Sequence, residues 1–521
     1  MKMYADLILY KGNFITLDKL TQNVQAVAVA DRKIIAIGDY NKIKLLIGKN
    51  TKKMDLKNKT VVPGFIDSHI HLISLGLAMQ VLDLQNTVSK SKLLSKLIEI
   101  VQETPPRHWV KGYGFNEAAL KELPTRWELD KISPNNPIYL EDIESKICIM
   151  NSLALDKIFL ARELDGVIIE RDGSTGNLTG IIRVRNQNLL YEIAKIPTLD
   201  PVDETLEESE FEGAIYSACP KLLEVGITSI HELQLPPSGI RAIKKVVHDG
   251  KISIRFFLGC DRNKDITFDK YVEEGLGTEP YEHQVKIGMV KLFADGRMPI
   301  PEFKKRVREA HEAGYQLTIH SSNSQQVETS IEALEEVLEA YPRENHRHRV
   351  EHAHTLNLDQ VERIKNADII ISPQPELIYK LNRKYSDNVM AVPMKSLIDR
   401  NVIVAGGSDS PTLSARSRAM SPRSYPNPML GIGFETSRTT LDGSVVQENE
   451  RIEVEKALRI HTINGAYASF EEDIKGTISV GKLADLVVLS QNPYEVDPKN
   501  IKGIKVLMTI IGGRIVYDSM E

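Results

Sequence analysis

The sequence predicts an α/β fold: a (β/α)8 TIM-type barrel joined to a small β-sandwich built from both termini, with an α+β insertion after the first barrel strand. Three observations predict it. Strand and helix patterns alternate from about Gly226 to Pro411. Short β-branched runs occupy both ends of the chain. A long mixed stretch with its own turns separates the opening VVPGFIDSHIH from Gly226.

In residues 1–60 the runs ADLILY, NFITL and AVAVADRKIIAIG are short, β-branched and broken by Gly, Asn or Asp. They are too few to fold well alone. KLADLVVLS and KVLMTIIGGRIVYD, near the other end, supply further strands, with Gly512 and Gly513 as a hairpin turn. Residues 1–60 and 470–521 are therefore expected to form one composite β-sandwich, residues 61–76 and 220–469 the barrel, and residues 77–219 an insertion or lid. Within the insertion, KSKLLSKLIEIVQE has apolar residues at helical spacing, and the run from Asp203 to Leu223 is amphipathic and acidic in its first half.

The barrel strands are VVPGFIDSHIH, GITSIHE, ISIRFFLGC, VKIGMVKLFADG, YQLTIH, HRVEH, DIIISPQP and NVIVAGGSDSP. Helices are expected around Glu302 to Ala313, Gln325 to Ala340, Leu358 to Asn366 and Met394 to Arg400. In such a barrel the chemistry sits at the carboxyl ends of the strands. The groups there are His69 and His71 on the first strand, His231 and Glu232 on the second and Lys291 on the fourth. His320, His352, Gln374 and Asp409 end the fifth to eighth. Side chains alternate along a strand, so His69 and His71 point the same way, about 7 Å apart, and both imidazoles can hold one cation.

Of the 521 residues, 42% are apolar and 26% charged, and the net charge of -5 offers no basic field for nucleic acid. The expected partner is a small molecule. The three cysteines, Cys148, Cys219 and Cys260, form no CxxC pair, so neither a disulfide framework nor a thiolate zinc site is indicated, and a cytoplasmic location fits. Asp6 and Lys11 interrupt the first apolar run, and no stretch of about 18 apolar residues suggests a membrane span. A homodimer is the default oligomer.

The chain resembles the amidohydrolase superfamily, and within it the YtcJ-like branch, amidohydrolase family 3. The resemblance rests on PGFIDSHIHL, VGITSIHE, VKLFADG, the TIH of the fifth strand, HRVEHAHTL, PQP, GGSDSP and GKLADLVVL, and within the insertion on YGFNE, LPTRWELD and NSLAL. It implies a metal-dependent hydrolase of a non-peptide C–N bond with a divalent metal centre, two zinc ions being expected. His69 and His71 would bind the more buried ion, His320 and His352 the more exposed one, and Lys291, carboxylated to a carbamate, would bridge them. Asp409 would ligate the inner ion and serve as general base and acid for a bridging water.

Three departures from the branch concern the pocket wall. ADG is followed directly by Arg297, Met298, Pro299 and a helix; Asn323 and Ser324 follow the fifth-strand histidine; and Glu144, Ser145 and Lys146 replace an Asp-Gly-His in the insertion. Candidate neighbours of the substrate are His231, Glu232, Gln374, Tyr113 and Trp127, with His231 either touching substrate or orienting a metal ligand. Arg297 and Lys146, with Arg416, Arg418 and Arg423 after Asp409, would favour an anionic group. His108, His248, His283, His311, His346, His348, His354 and His461 are placed on helices or polar loops and given no role. Esters, lactones or phosphoesters would suit the same nucleophile. A deaminase is disfavoured because Ser321 to Ser324 supply no proton-shuttling Glu after His320, and a non-catalytic binding protein because no ligand is missing.

Overall fold

Seven parallel strands form the barrel wall in chain order: Phe65–Ile70, Ile227–Leu235, Arg255–Asp261, Val285–Phe293, Gln316–Ser321, Arg349–His352 and Ile370–Ser372. The computed structural model describes every residue except 1–3, 20, 22–23, 158–165, 186–205, 262–267, 277–283, 382–389, 412–424 and 521. Helices Pro237–His248, Ile300–Glu312, Ser324–Ala340 and Leu358–Asn366 connect successive strands and bury their apolar faces. Asn323 and Asn357 cap the last two by accepting backbone N–H groups.

The barrel differs from expectation at both ends of its wall. Thr60–Pro63 pairs antiparallel with Leu486–Leu489 in a terminal sheet, so the first barrel strand begins at Phe65 and not at Val61. Gly64 makes this passage: its N–H donates to Asp485 O, and a Cβ there would lie 2.3 Å from the Thr228 hydroxyl. At the far side, NVIVAGGSDSP makes isolated parallel bridges, Ile371 with Val404 and Ile70 with Ser410, in place of a continuous ladder. The cause is local. Gly407 lies so close to the first strand that a Cβ would meet His69 Cβ at 2.4 Å, and Asp409 has φ of 53°.

Two further sheets occur near the termini. One has the order Lys33–Gly38, Ala26–Ala30, Ala5–Tyr10, Ile47–Asp55. The other has Asn13–Phe14, Thr60–Pro63, Leu486–Leu489, Val506–Ile511, Arg514–Asp518, so strands from both ends of the chain enter it. Leu7, Val27 and Val29 from the first and Val61, Leu486, Val488 and Ile510 from the second share one apolar cluster. Gly512 and Gly513, with φ of 55° and 74°, close the last hairpin as a two-residue turn that needs both in the left-handed region.

The chain divides into two compact units, one comprising Met1–Leu72, Ala218–Ser410 and Tyr425–Glu521, the other including Ile73–Ser217. The second contains a six-stranded mixed sheet against which helix Lys90–Glu103 buries Leu93 and Leu97, packed with Leu129, Leu140 and Ile149. No helix among the described residues is long and apolar enough to cross a membrane.

Three histidines expected on helices or polar loops, His311, His346 and His348, are buried together, His311 on the helix Ile300–Glu312. His348 Nδ1 accepts the Leu317 N–H at 3.0 Å, so its Nε2 carries the proton that reaches His311 Nδ1 at 2.8 Å; His311 Nε2 then donates to Tyr341 O at 2.7 Å. His346 Nδ1 accepts the His348 N–H, and its Nε2 donates to Ala367 O. Every ring in this chain is neutral. Burial, reinforced by the Arg343 charge, pushes all three pKa values down, His346 to about 4. The unfolded chain therefore binds more protons than the folded one below about pH 6.5, the ordinary histidine value. Stability is expected to fall as pH drops from about 6.5 toward 4. His346→Asn, whose amide oxygen can replace Nδ1 as acceptor, should flatten that fall in a series of melting temperatures. An unchanged slope would show that the cluster does not contribute.

Candidate metal centre

The first strand carries His69 and His71 to the barrel mouth on one face, and the segment that closes the wall is laced to it. Ser68 N donates to Gly406 O, Asp409 N to His69 O at 2.7 Å, and His71 N to Ser410 O at 2.9 Å. Asp67, two residues before His69, accepts both the His69 and the Ser408 N–H groups with one carboxylate oxygen. These contacts hold Asp409 in its left-handed conformation, which costs about 1–3 kcal/mol unless the surroundings impose it. His352 and Ala353, at the end of the sixth strand, are left-handed as well, with φ of 73° and 44°.

The result is convergence. His69 Nε2 and His71 Nε2 lie 3.3 and 3.2 Å from the same oxygen of Asp409. Among the described residues, this is the one set of three or more His, Cys, Asp or Glu whose donor atoms all lie within 4.8 Å of one another. The rings of the other two predicted histidines follow in series, His352 at 5.0 Å from His69 and His320 at 4.3 Å from His352. Lys291 is buried on the fourth strand, with its amine 5.2 Å from the centre of the Phe293 ring.

Protonation tendencies differ across the set: burial lowers the His71 pKa, but the Asp409 and Glu232 carboxylates outweigh it and raise it. Burial pushes His320 down to about 3 and His352 well below its ordinary value, so both rings keep a lone pair at neutral pH. Burial also lowers Lys291 to about 8, against the opposing charges of Glu351 and Asp409. For Asp409 burial works upward, but His69 and His71 outweigh it and hold the carboxyl well below the usual range. His69 Nε2 and His71 Nδ1 are buried nitrogens without a hydrogen-bond partner. His69 Nε2, left without a hydrogen-bond partner, and His71 Nε2 flank one Asp409 oxygen, a donor set that a divalent metal fits.

The remaining predicted residues divide into two groups. Glu232, His231 and Gln374 are fully buried beside the centre. Glu232 accepts the Leu72 N–H and lies 3.8 Å from His71 Nδ1. His231 Nδ1 accepts from Arg349 at 2.9 Å. Gln374 donates to Ser372 O, which turns its amide oxygen toward His352 Nδ1 at 2.6 Å and fixes the proton on that nitrogen. Arg297 is exposed, pairs with Asp295 and stacks on Phe293 at 3.5 Å. In the second unit, the Tyr113 hydroxyl donates to Ile143 O, Arg126 lies over the Trp127 ring, and Lys146 pairs with Glu144. Arg416, Arg418 and Arg423 lie outside the described residues.

Sequence reasoning assigned nothing to Arg349 and Glu351, yet both are fully buried, and Glu351 Oε2 lies 2.7 Å from His69 Nδ1. Arg349 and Glu351 alternate on one face of the short strand Arg349–His352, and all four of its residues are buried. His461, also left without a role, is buried with Nε2 3.3 Å from Glu435, and its ring fills the space that the lack of side chains at Gly406 and Gly431 leaves open.

A model described as the amidohydrolase family matches residues 52–517. The chain is 27% identical over 555 residues to the putative amidohydrolase YtcJ of Bacillus subtilis (strain 168), covering 98% of this chain and 99% of that one. It is 25% identical over 567 residues to the N-substituted formamide deformylase of Arthrobacter pascens, covering 99% of each. The crystal structure of an uncharacterized metal-dependent hydrolase from Pyrococcus horikoshii OT3 covers 94% of this chain and 99% of its own with a TM-score of 0.71 at 22% identity, a likeness of fold. With its similarity to YtcJ running nearly end to end, the chain belongs to the amidohydrolase family.

Proposed function

We propose that this hydrolase cleaves a non-peptide C–N bond of a small molecule at a divalent metal centre held by His69, His71, Lys291, His320, His352 and Asp409. The observation that carries this reading is the approach of His69 Nε2 and His71 Nε2 to one oxygen of Asp409. Zinc suits such a nitrogen and oxygen set. Bound there, the metal polarises a carbonyl and lowers the pKa of water from 15.7 to about 7.

The chain's own groups do the rest. His69 and His71 would hold a cation with Asp409, and His320 and His352 would hold a second. A Lys291 amine whose pKa is about 8 is available in its neutral form, which adds to carbon dioxide and releases a proton to leave an anionic carbamate. Such a carbamate would supply anionic oxygens to a metal where an ammonium would be repelled. Asp409 takes the proton of the attacking water and delivers it to the leaving amine. The similarity to a formamide deformylase along both chains supports an amide-type bond. The three cysteines are buried and none is in a disulfide, which suits a reducing compartment such as the cytoplasm.

The test is metal analysis with turnover. Gently purified protein should carry about two zinc-like ions per chain, chelation should abolish hydrolysis of an N-substituted amide library, and zinc should restore it. Lys291→Ala should lose an ion and the signal from 13C-bicarbonate incorporated at that position. Full activity in metal-free protein would remove the reading.

A further inference from the structure

We propose that Glu351, on the sixth strand, is a positioning residue that fixes His69 in its ligating form and so sets how tightly the inner cation is held. This rests on the metal centre proposed above and adds a residue to it that does not itself ligate.

An ionised carboxylate only accepts hydrogen bonds, so the 2.7 Å contact between Glu351 Oε2 and His69 Nδ1 requires the proton on Nδ1. The Nε2 lone pair of His69 then faces Asp409 Oδ1 at 3.3 Å. A carboxylate bonded to one side of an imidazole makes the other nitrogen a better donor to metal.

Glu351 is itself held on both sides. Its other oxygen accepts the Thr318 hydroxyl at 2.5 Å and lies 2.9 Å from Arg349 Nε. Arg349 in turn donates to Ser68 O at 2.6 Å, Ser372 Oγ at 3.2 Å and His231 Nδ1 at 2.9 Å. Contacts from the first, second, fifth, sixth and seventh strands thus converge on one fully buried ion pair. Thr318 and Arg349 hold the Glu351 carboxylate in place, so His69 is oriented in advance of binding.

A glutamine in place of Glu351 could not reproduce this. Two hydrogen-bond donors, from His69 and Thr318, and the Arg349 charge face the two carboxylate oxygens, and an amide offers one oxygen and one NH2. With the oxygen toward Arg349, the NH2 faces His69 Nδ1, which must become the acceptor, and the His69 proton moves to Nε2, where it opposes a cation.

The experiment uses the full chain, stripped of metal. Zinc affinity is measured by competition with a chromophoric chelator, and the His69 tautomer by 15N NMR of histidine-labelled protein, with the signal assigned through His69→Gln. The wild type should show Nδ1–H at His69. Glu351→Gln should move that proton to Nε2 and weaken the tighter zinc site about 10–100-fold. Glu351→Asp keeps the charge beside Arg349 but withdraws from His69; it should fold and also bind zinc more weakly, which keeps the test valid if the glutamine variant does not fold. Unchanged zinc affinity in both variants, or Nε2–H at His69 in the wild type, overturns the proposal. A wild type that takes up no zinc removes the metal-centre reading and the affinity claim with it, while a proton shift in Glu351→Gln would still support the positioning role.

Discussion

Substituting Asn for Asp409 is expected to lower kcat by about 10²–10⁴-fold while leaving the fold in place, because the amide cannot take up and return a proton. The backbone argument favours a folded variant. Asn adopts the left-handed conformation more readily than most residues, and the φ of 53° at this position is held by the Asp409 N–H to His69 O bond, which the substitution spares. What is lost is the negative oxygen that both Nε2 atoms approach at 3.2 and 3.3 Å. The measurement is kcat on the best amide substrate, with metal content and melting temperature on the same sample. An Asn variant that keeps its metal and its wild-type turnover would take the proton-transfer role away from Asp409.

The period-two alternation of FIDSHIH was enough to place His69 and His71 on one face, and the strand-end positions of His320 and His352 were legible from the apolar runs before them, whereas Asp409 lies on a segment that makes only isolated bridges. Other features were hidden by their physics. Val61 to Ile66 reads as one apolar strand because both sheets that it serves are buried on either face, so no polar residue marks the switch at Gly64. Glu351 looks like an ordinary strand charge until its partner His69, 282 positions away, is in place. His348 lies in the charged run RENHRHR, which reads as a polar loop. Yet it is fully buried, because its neighbours Arg347 and Arg349 are also withdrawn from water, one paired with Glu472 and the other with Glu351. Local composition reports what a segment contains and not what the rest of the chain brings to it.

The same reasoning yields the largest stability effect, at the join between the barrel and the terminal sheet. Arg255 opens the third barrel strand, and its guanidinium donates to both oxygens of Asp485 at 2.7 and 2.8 Å. Asp485 immediately precedes the Leu486–Leu489 strand and also accepts the Gly512 N–H at 2.8 Å. Both side chains are nearly inaccessible, 2% and 4% exposed. Burial alone would raise the Asp485 pKa, and the Arg255 charge is the main influence that reverses it. Arg255→Met therefore leaves a buried carboxylate with one backbone donor, and the expected loss is about 3–5 kcal/mol at neutral pH. The sign with pH follows. Without Arg255 the folded-state pKa of Asp485 rises above its unfolded value, so the loss relative to wild type is largest at neutral pH and shrinks as acid neutralises the carboxylate. Arg255→Met combined with Asp485→Leu should regain most of the loss, since no charge is then stranded. Denaturant midpoints of the three proteins at pH 7.5 and 5 measure both effects. A loss below about 1 kcal/mol, the scale of a solvent-exposed pair, would mean that water reaches this join.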